Sequence, residues 1–292
     1  MRCQGDRDTR ESDRRGGADY DTAIMGGSTS LGLAALLTLL PAAVLPPRRG
    51  GNGGGLFWAL LVVAALGPLA LEIAAQGGIW RTGFSATLWT IIASTMLVYL
   101  LACLASPTVR GLRLFLLPYL VALGVIALLW SAAPEHELPA SAMTAWLQVH
   151  IGVSLVTYAL ITLAAASALA VWVKERALRR HEAPGWIDAI PSVADGERVQ
   201  NRLLLAAEIV LGLGLATGIA ANFYRAGALV PLEHKTILSL AAFVVVGILL
   251  LVQRGSGLRG RQAARLVLAA YLLITLAFPG VKFVTDVILS QP

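Results

Sequence analysis

Residues 84–105 read FSATLWTIIASTMLVYLLACLA, a stretch without one charged side chain. A helix rises about 1.5 Å per residue, so about 20 such residues reach across a hydrocarbon core about 30 Å thick. No water is available there, and within one continuous segment only a helix satisfies its own backbone hydrogen bonds. The stretch is therefore predicted to cross a membrane as an α-helix.

The same pattern recurs on both sides of it. Charge-poor runs lie at about 31–45, 56–76, 112–132, 143–173, 202–223, 235–252 and 265–289. Together with 84–105 they predict an all-α fold, a polytopic bundle of about eight transmembrane helices. The composition agrees: 57% of the 292 residues are hydrophobic and 14% charged, against about 45–50% and about 25% in soluble domains. A soluble enzyme and a disordered scaffold are both excluded. The first run is marginal in length, and its basic residues (Arg48, Arg49) follow it rather than precede it. That order argues for a retained span and against a cleaved secretory signal. The run at 143–173 is too long for one crossing, and its end toward Lys174, Arg176, Arg179 and Arg180 is expected to project into water.

Two regions divide the chain. Residues 1–25 form a polar tail with five Arg and six acidic residues, too hydrophilic to build a core; Met25 offers an alternative start of translation. Residues 26–292 form the transmembrane domain.

The net charge is +6. In a soluble protein this would raise nucleic-acid binding, but here the basic residues are sorted by loop, and no nucleic-acid partner is expected. Fourteen of them follow the first, third, fifth and seventh spans, among them Arg48, Arg110, Arg113, Lys174, Arg198 and Arg259. Four lie toward the other side: Arg81, Arg225, Lys235 and Lys282. Basic residues collect on the cytoplasmic side, so both termini are predicted to lie outside.

That topology sorts the histidines. His181 falls in a charged cytoplasmic loop and His136 in a short outer loop, where both suit a solvated surface. His150 opens the outer half of the fifth span (AWLQVHIGVSLVTY) and His234 opens the seventh (PLEHKTILSL). Two helices offering one imidazole each at matched depth are able to hold a planar haem between two nitrogen ligands. Arg81, Arg225 and Lys235 are candidate partners for haem propionates. Trp146, four residues before His150 and on the same helix face, offers a flat wall. Histidine is also at ease at an interface with no ligand, and spacing alone leaves that reading open.

Carboxylates inside spans are functional candidates by default. Asp286 sits one turn from Lys282 and is expected to pair with it; Glu208 lies near the cytoplasmic end. Glu72 shares the leaflet of the two histidines. Gly214 and Gly218 form a GxxxG in the sixth span, which suits close helix packing. The cysteines, Cys3 and Cys103, are far apart and form no CxxC or CxxCH. No GxxxxGK[ST], GxSxG or HExxH is present, so no enzymatic chemistry is expected.

HIGVSLVTYALITLAAASAL (150–169), EHKTILSLAAF (233–243) and GLRGRQA (257–263) resemble the cytochrome c assembly protein transmembrane family, closest to its HemX-like and YpjD-like inner-membrane branch. The resemblance covers roughly 56–289 and is strongest over 146–265. It implies a multi-pass protein of the bacterial inner (cytoplasmic) membrane, embedded in the lipid bilayer. It also implies that the protein handles haem, with His150 and His234 as paired ligands and cytochrome c maturation membrane proteins as partners. The chain departs from the haem-exporting members in two places. The outer loop 224–234 (YRAGALVPLEH) lacks their tryptophan-rich WWD signature, and LGPLALE in the second span has no histidine. Binding at the outer face is therefore better supported than conduction across the membrane. The competing reading is a transporter, or a structural subunit of an assembly complex, without haem ligation.

Overall fold

The computed structural model describes residues 29–44, 54–76, 80–133, 136–138, 145–181, 185–226, 234–255 and 260–288. The polar tail and Met25 lie outside them. Seven helices are long and apolar enough to cross a membrane, and an eighth, Thr29–Val44, is shorter. We number them α1 (Thr29–Val44), α2 (Gly55–Gln76), α3 (Phe84–Ala105), α4 (Arg113–Leu129), α5 (Ala145–Arg180), α6 (Val193–Ala226), α7 (His234–Gly255) and α8 (Arg261–Thr275). A 3-10 turn at Pro107–Leu112 enters α4, and another at Gly185–Ala189 separates α5 from α6. The short strands β1 (Trp80–Thr82) and β2 (His136–Leu138) pair antiparallel, with Arg81 opposite Glu137.

Short connections make consecutive helices antiparallel, so the bundle has two unlike ends. One carries the start of α5 with His150 and the start of α7 with His234; we call it the histidine end. The other carries the starts of α4 and α8 and the tail of α5, with most of the arginines; we call it the arginine end.

Helix α5 is unbroken over 36 residues, about 54 Å at the usual rise and well beyond the hydrocarbon thickness. Its last turns project at the arginine end, as the charge pattern required. Helix α6 runs 34 residues and begins at Val193, before its apolar run. Helix α5 packs there on the start of α6 and on the turn before it: Ser167 Oγ donates to the Gly196 carbonyl at 3.0 Å, and Lys174 Nζ donates to the Ile187 carbonyl at 2.7 Å.

The apolar core falls into two clusters. One is built on α1–α4 around Leu39, Leu61, Met96 and Leu120 and takes in Leu163, Ala166 and Ala170 of α5 and Val199 of α6; the other is built on α5–α8 around Ala164, Leu204, Val246 and Val267, with Ile91 of α3. In the second set α5 packs on α6 and α8, and α7 packs on the same two helices. Helices α5 and α7 are thus diagonal partners in a four-helix arrangement. Toward the arginine end this quartet is tightly filled. Toward the histidine end no described residue of α5 before Thr157, of α7 before Ala242, or of α6 beyond Gly214 is buried.

A ring of hydroxyls links the two halves. Tyr119 of α4 and Tyr158 of α5 lie 3.2 Å apart oxygen to oxygen, Tyr158 and Tyr271 of α8 lie 3.3 Å apart, and Tyr271 donates back to Tyr119. Thr275 Oγ1 adds a contact to Tyr158 at 3.4 Å. Beyond Thr275 the chain widens into π turns at Leu276–Gly280 and Val284–Ile288. Pro279 lies in the first, where it cannot donate the helical hydrogen bond and its ring would crowd the preceding turn. Asp286 is buried there and accepts from Lys282 Nζ at 3.3 Å, the pairing anticipated from sequence.

Close approach of α1 and α2 depends on Gly67: a Cβ there would fall 1.9 Å from Thr38 Oγ1. Gly152 of α5 has open space around the same position. Gly67→Ala should therefore destabilise the protein by about 1–3 kcal/mol through overpacking, while Gly152→Ala stays neutral or gains through helix propensity. Thermal unfolding of both variants in one detergent would check the contrast. Tyr158→Phe removes the hydroxyl with three partners and should cost about 1 kcal/mol, more than Tyr119→Phe in the same measurement.

Candidate functional site

His150 lies in the second turn of α5, on the side facing α6, and is half-buried. Its Nδ1 is 3.4 Å from Thr217 Oγ1, a long contact between the two helices. The Thr217 hydroxyl proton is already committed, donated to the Gly214 carbonyl at 3.0 Å. The tautomer with its proton on Nδ1 suits this arrangement, with the Thr217 oxygen as acceptor, and in that tautomer Nε2 is the nitrogen that would ligate a metal. Ser154 Oγ donates to the His150 carbonyl at 2.8 Å and fixes the local turn.

The ring lies against the bare backbone of Gly218. A Cβ at that position would sit 3.1 Å from His150 Cε1, 3.6 Å from Nδ1 and 3.8 Å from Nε2. One turn earlier, a Cβ on Gly214 would meet Val153 Cγ1 at 3.3 Å. The GxxxG of α6 is thus a close-packing motif, as its spacing suggested, and its second glycine is also the seat of the imidazole. Thr217 and Gly218 escaped the sequence reading as partners of His150. The GxxxG was the available signal, but nothing in it named the helix that it faces.

The other sequence-derived candidates spread around the same end. Trp146 stands one turn before His150 and is 52% exposed, free to offer its face to a ligand or to lipid. His234 is the first residue of α7 and Lys235 the second. Arg225 falls in the last turn of α6 and Arg81 in β1. The side chains of His234, Lys235, Arg225 and Arg81 lie outside the described residues, as does that of His136 in β2. The backbone thus brings the starts of α5 and α7 to one end of the bundle, on helices placed diagonally in the quartet.

The carboxylates resolve differently. Glu72 Oε2 accepts from Thr90 Oγ1 at 3.1 Å and bridges α2 to α3. Glu208 lies half-buried on α6 beside α7, with Oε1 at 3.0 Å from the place a Gly247 Cβ would take. Among the described residues no group of three His, Cys, Asp or Glu side chains is placed to hold a metal ion.

No solved structure matches this chain. A protein of Azospirillum brasilense named "Uncharacterized 28.8 kDa protein in nifR3-like 5'region" is 46% identical over 263 residues, covering 88% of this chain and 97% of the relative. The Escherichia coli K12 protein named "Inner membrane protein YpjD" is 28% identical over 234 residues, covering 78% of this chain and 87% of the relative. The cytochrome C assembly protein family matches residues 56–289, from the start of α2 to the end of the last π turn. With its seven long apolar helices, this chain belongs to the cytochrome c assembly protein family.

Proposed function

We propose that this protein is a non-enzymatic haem-handling protein of cytochrome c biogenesis, binding haem at its histidine end through His150 and His234. The observation that carries the proposal is the seat of His150: its ring lies on the bare backbone of Gly218, with Nδ1 3.4 Å from Thr217 Oγ1. A ligating histidine commonly donates its other ring nitrogen to an oxygen in this way. His234 is the natural second ligand, since it opens the helix diagonal to α5 at the same end. Haem is the cargo; bound, it supplies an iron with two axial positions. The protein holds and orients it. Arg81, Arg225 and Lys235, whose backbones lie at the same end, are the proposed partners of its propionates, and Trp146 the proposed cover of one face.

Sorting of basic residues supports an arginine end in the cytoplasm, and with it a haem site at the outer face of a bacterial inner membrane. The E. coli relative's name supports that membrane. Other membrane proteins of cytochrome c maturation are the expected partners, as donor or acceptor of the haem. A transport path along Glu72 is less favoured, because Glu72 is tied to Thr90 and bridges two helices.

Absorbance of the protein purified after expression with ample haem tests this reading. A Soret band is expected, lost in His150→Ala and in His234→Ala. Absence of haem from the wild-type protein, or an unchanged spectrum in the double variant, would overturn it. Gly218→Val puts side-chain atoms where the imidazole lies and should lower haem occupancy about tenfold, equivalent to about 1.4 kcal/mol. Thr217→Val removes the acceptor at Nδ1 and should weaken binding at least several-fold, since loss of such partners typically costs about 10–100-fold. Haem titration followed at the Soret maximum measures both.

A further inference from the structure

At the arginine end, away from the histidines, α1, α2 and α4 enclose a narrow, partly open slot. Its walls are Ala42, Phe57, Leu60, Leu61 and Leu117, with Arg113 at its head. Its enclosed part has the size of a single water or oxygen atom. Arg113 is only 6% exposed, and its buried Nε has no hydrogen-bond partner among the described residues. The guanidinium lies 5.6 Å from the centre of the Phe57 ring. Its neighbour Arg110 lies 5.1 Å from the centre of the Trp58 ring and donates Nε–H to the Cys103 carbonyl at 3.3 Å. Two arginines are thus stacked on two consecutive aromatic residues at one level of the bundle.

No carboxylate of these helices answers that charge. From residue 22 to residue 134 the chain contains one acidic residue, Glu72, which sits near the histidine end of α2. Arg48 and Arg49 follow α1 in sequence and add to the same imbalance. A solvated topogenic arginine needs no partner, but a buried guanidinium with an unused donor does. A basic pocket between transmembrane helices on this side suits a lipid headgroup. The groups that share this depth in a bilayer are lipid phosphates.

We propose that the slot between α1, α2 and α4 binds the phosphate of an anionic phospholipid from the leaflet on the arginine side. One phosphate oxygen enters the enclosed part and accepts from Arg113 Nε–H, Arg110 neutralises the headgroup, and an acyl chain runs past Leu60 at the rim. The proposal is independent of haem binding. It rests on a different set of helices at the opposite end of the bundle.

Native mass spectrometry of the full chain, equilibrated with an equimolar mixture of phosphatidylglycerol and phosphatidylcholine, reads it directly. The wild-type protein should retain phosphatidylglycerol in preference to phosphatidylcholine. Arg113→Gln should reduce that preference about fivefold, the effect of about one basic residue at an anionic surface. Leu60→Phe fills the rim of the slot without altering charge and should reduce it as well, which keeps the test decisive where Arg113→Gln does not fold. Equal retention of the two lipids by wild type, or unchanged preference in the folded variants, overturns the proposal. So does displacement of phosphatidylglycerol by inorganic phosphate at millimolar concentration, which would identify a free anion as the ligand.

Discussion

A polar group inside hydrocarbon has no water to turn to, and this shortage organises the molecule. The backbone answers it by folding into helices that close their own hydrogen bonds. The few polar side chains answer it by finding one another across helix boundaries. Thr90 meets Glu72 between α2 and α3, the three tyrosines meet between α4, α5 and α8, and Thr217 meets His150 between α5 and α6. The polar contacts specify which helix faces which, although each contributes only about 1 kcal/mol within a membrane.

The same logic separates what could be read in the sequence from what could not. Spans announce themselves through uninterrupted apolar length, so the helix number, the marginal α1 and the overlong α5 were all legible. The Lys282–Asp286 pair was legible because its partners stand one turn apart on one helix. The early start of α6 was not, since residues 193–201 are polar and acquire helical support from packing on the tail of α5. The tyrosine ring was invisible for a different reason. Its members are separated by 39 and 113 residues, and no local spacing encodes a meeting of three helices. Of the candidate site, His150 and the glycine motif could both be found, but not the fact that they touch.

The two core clusters give the bundle a division of labour. Helices α1–α4 close around bulky residues such as Leu61, Met96, Tyr99 and Leu120, with the aromatic rings of Phe84 and Trp130 packed against Phe283 at the histidine end. Helices α5–α8 are lined by alanine where they pack, at Ala164, Ala168, Ala207, Ala242, Ala263 and Ala270. Small side chains bring backbones close at the arginine end of this quartet. The glycines of α6 continue that close approach to the histidine end, where Gly214 faces Val153 and Gly218 faces His150.

Helix α5 has one more consequence. Lys174 is fastened at the arginine end to the carbonyl of Ile187, and His150 stands 24 residues earlier on the same unbroken rod, about 36 Å away along its axis. That span exceeds the hydrocarbon thickness of about 30 Å. The height of the imidazole within its leaflet is therefore gauged from the opposite face of the membrane. The anchoring lysine acts as the fixed foot of a ruler whose upper mark is His150.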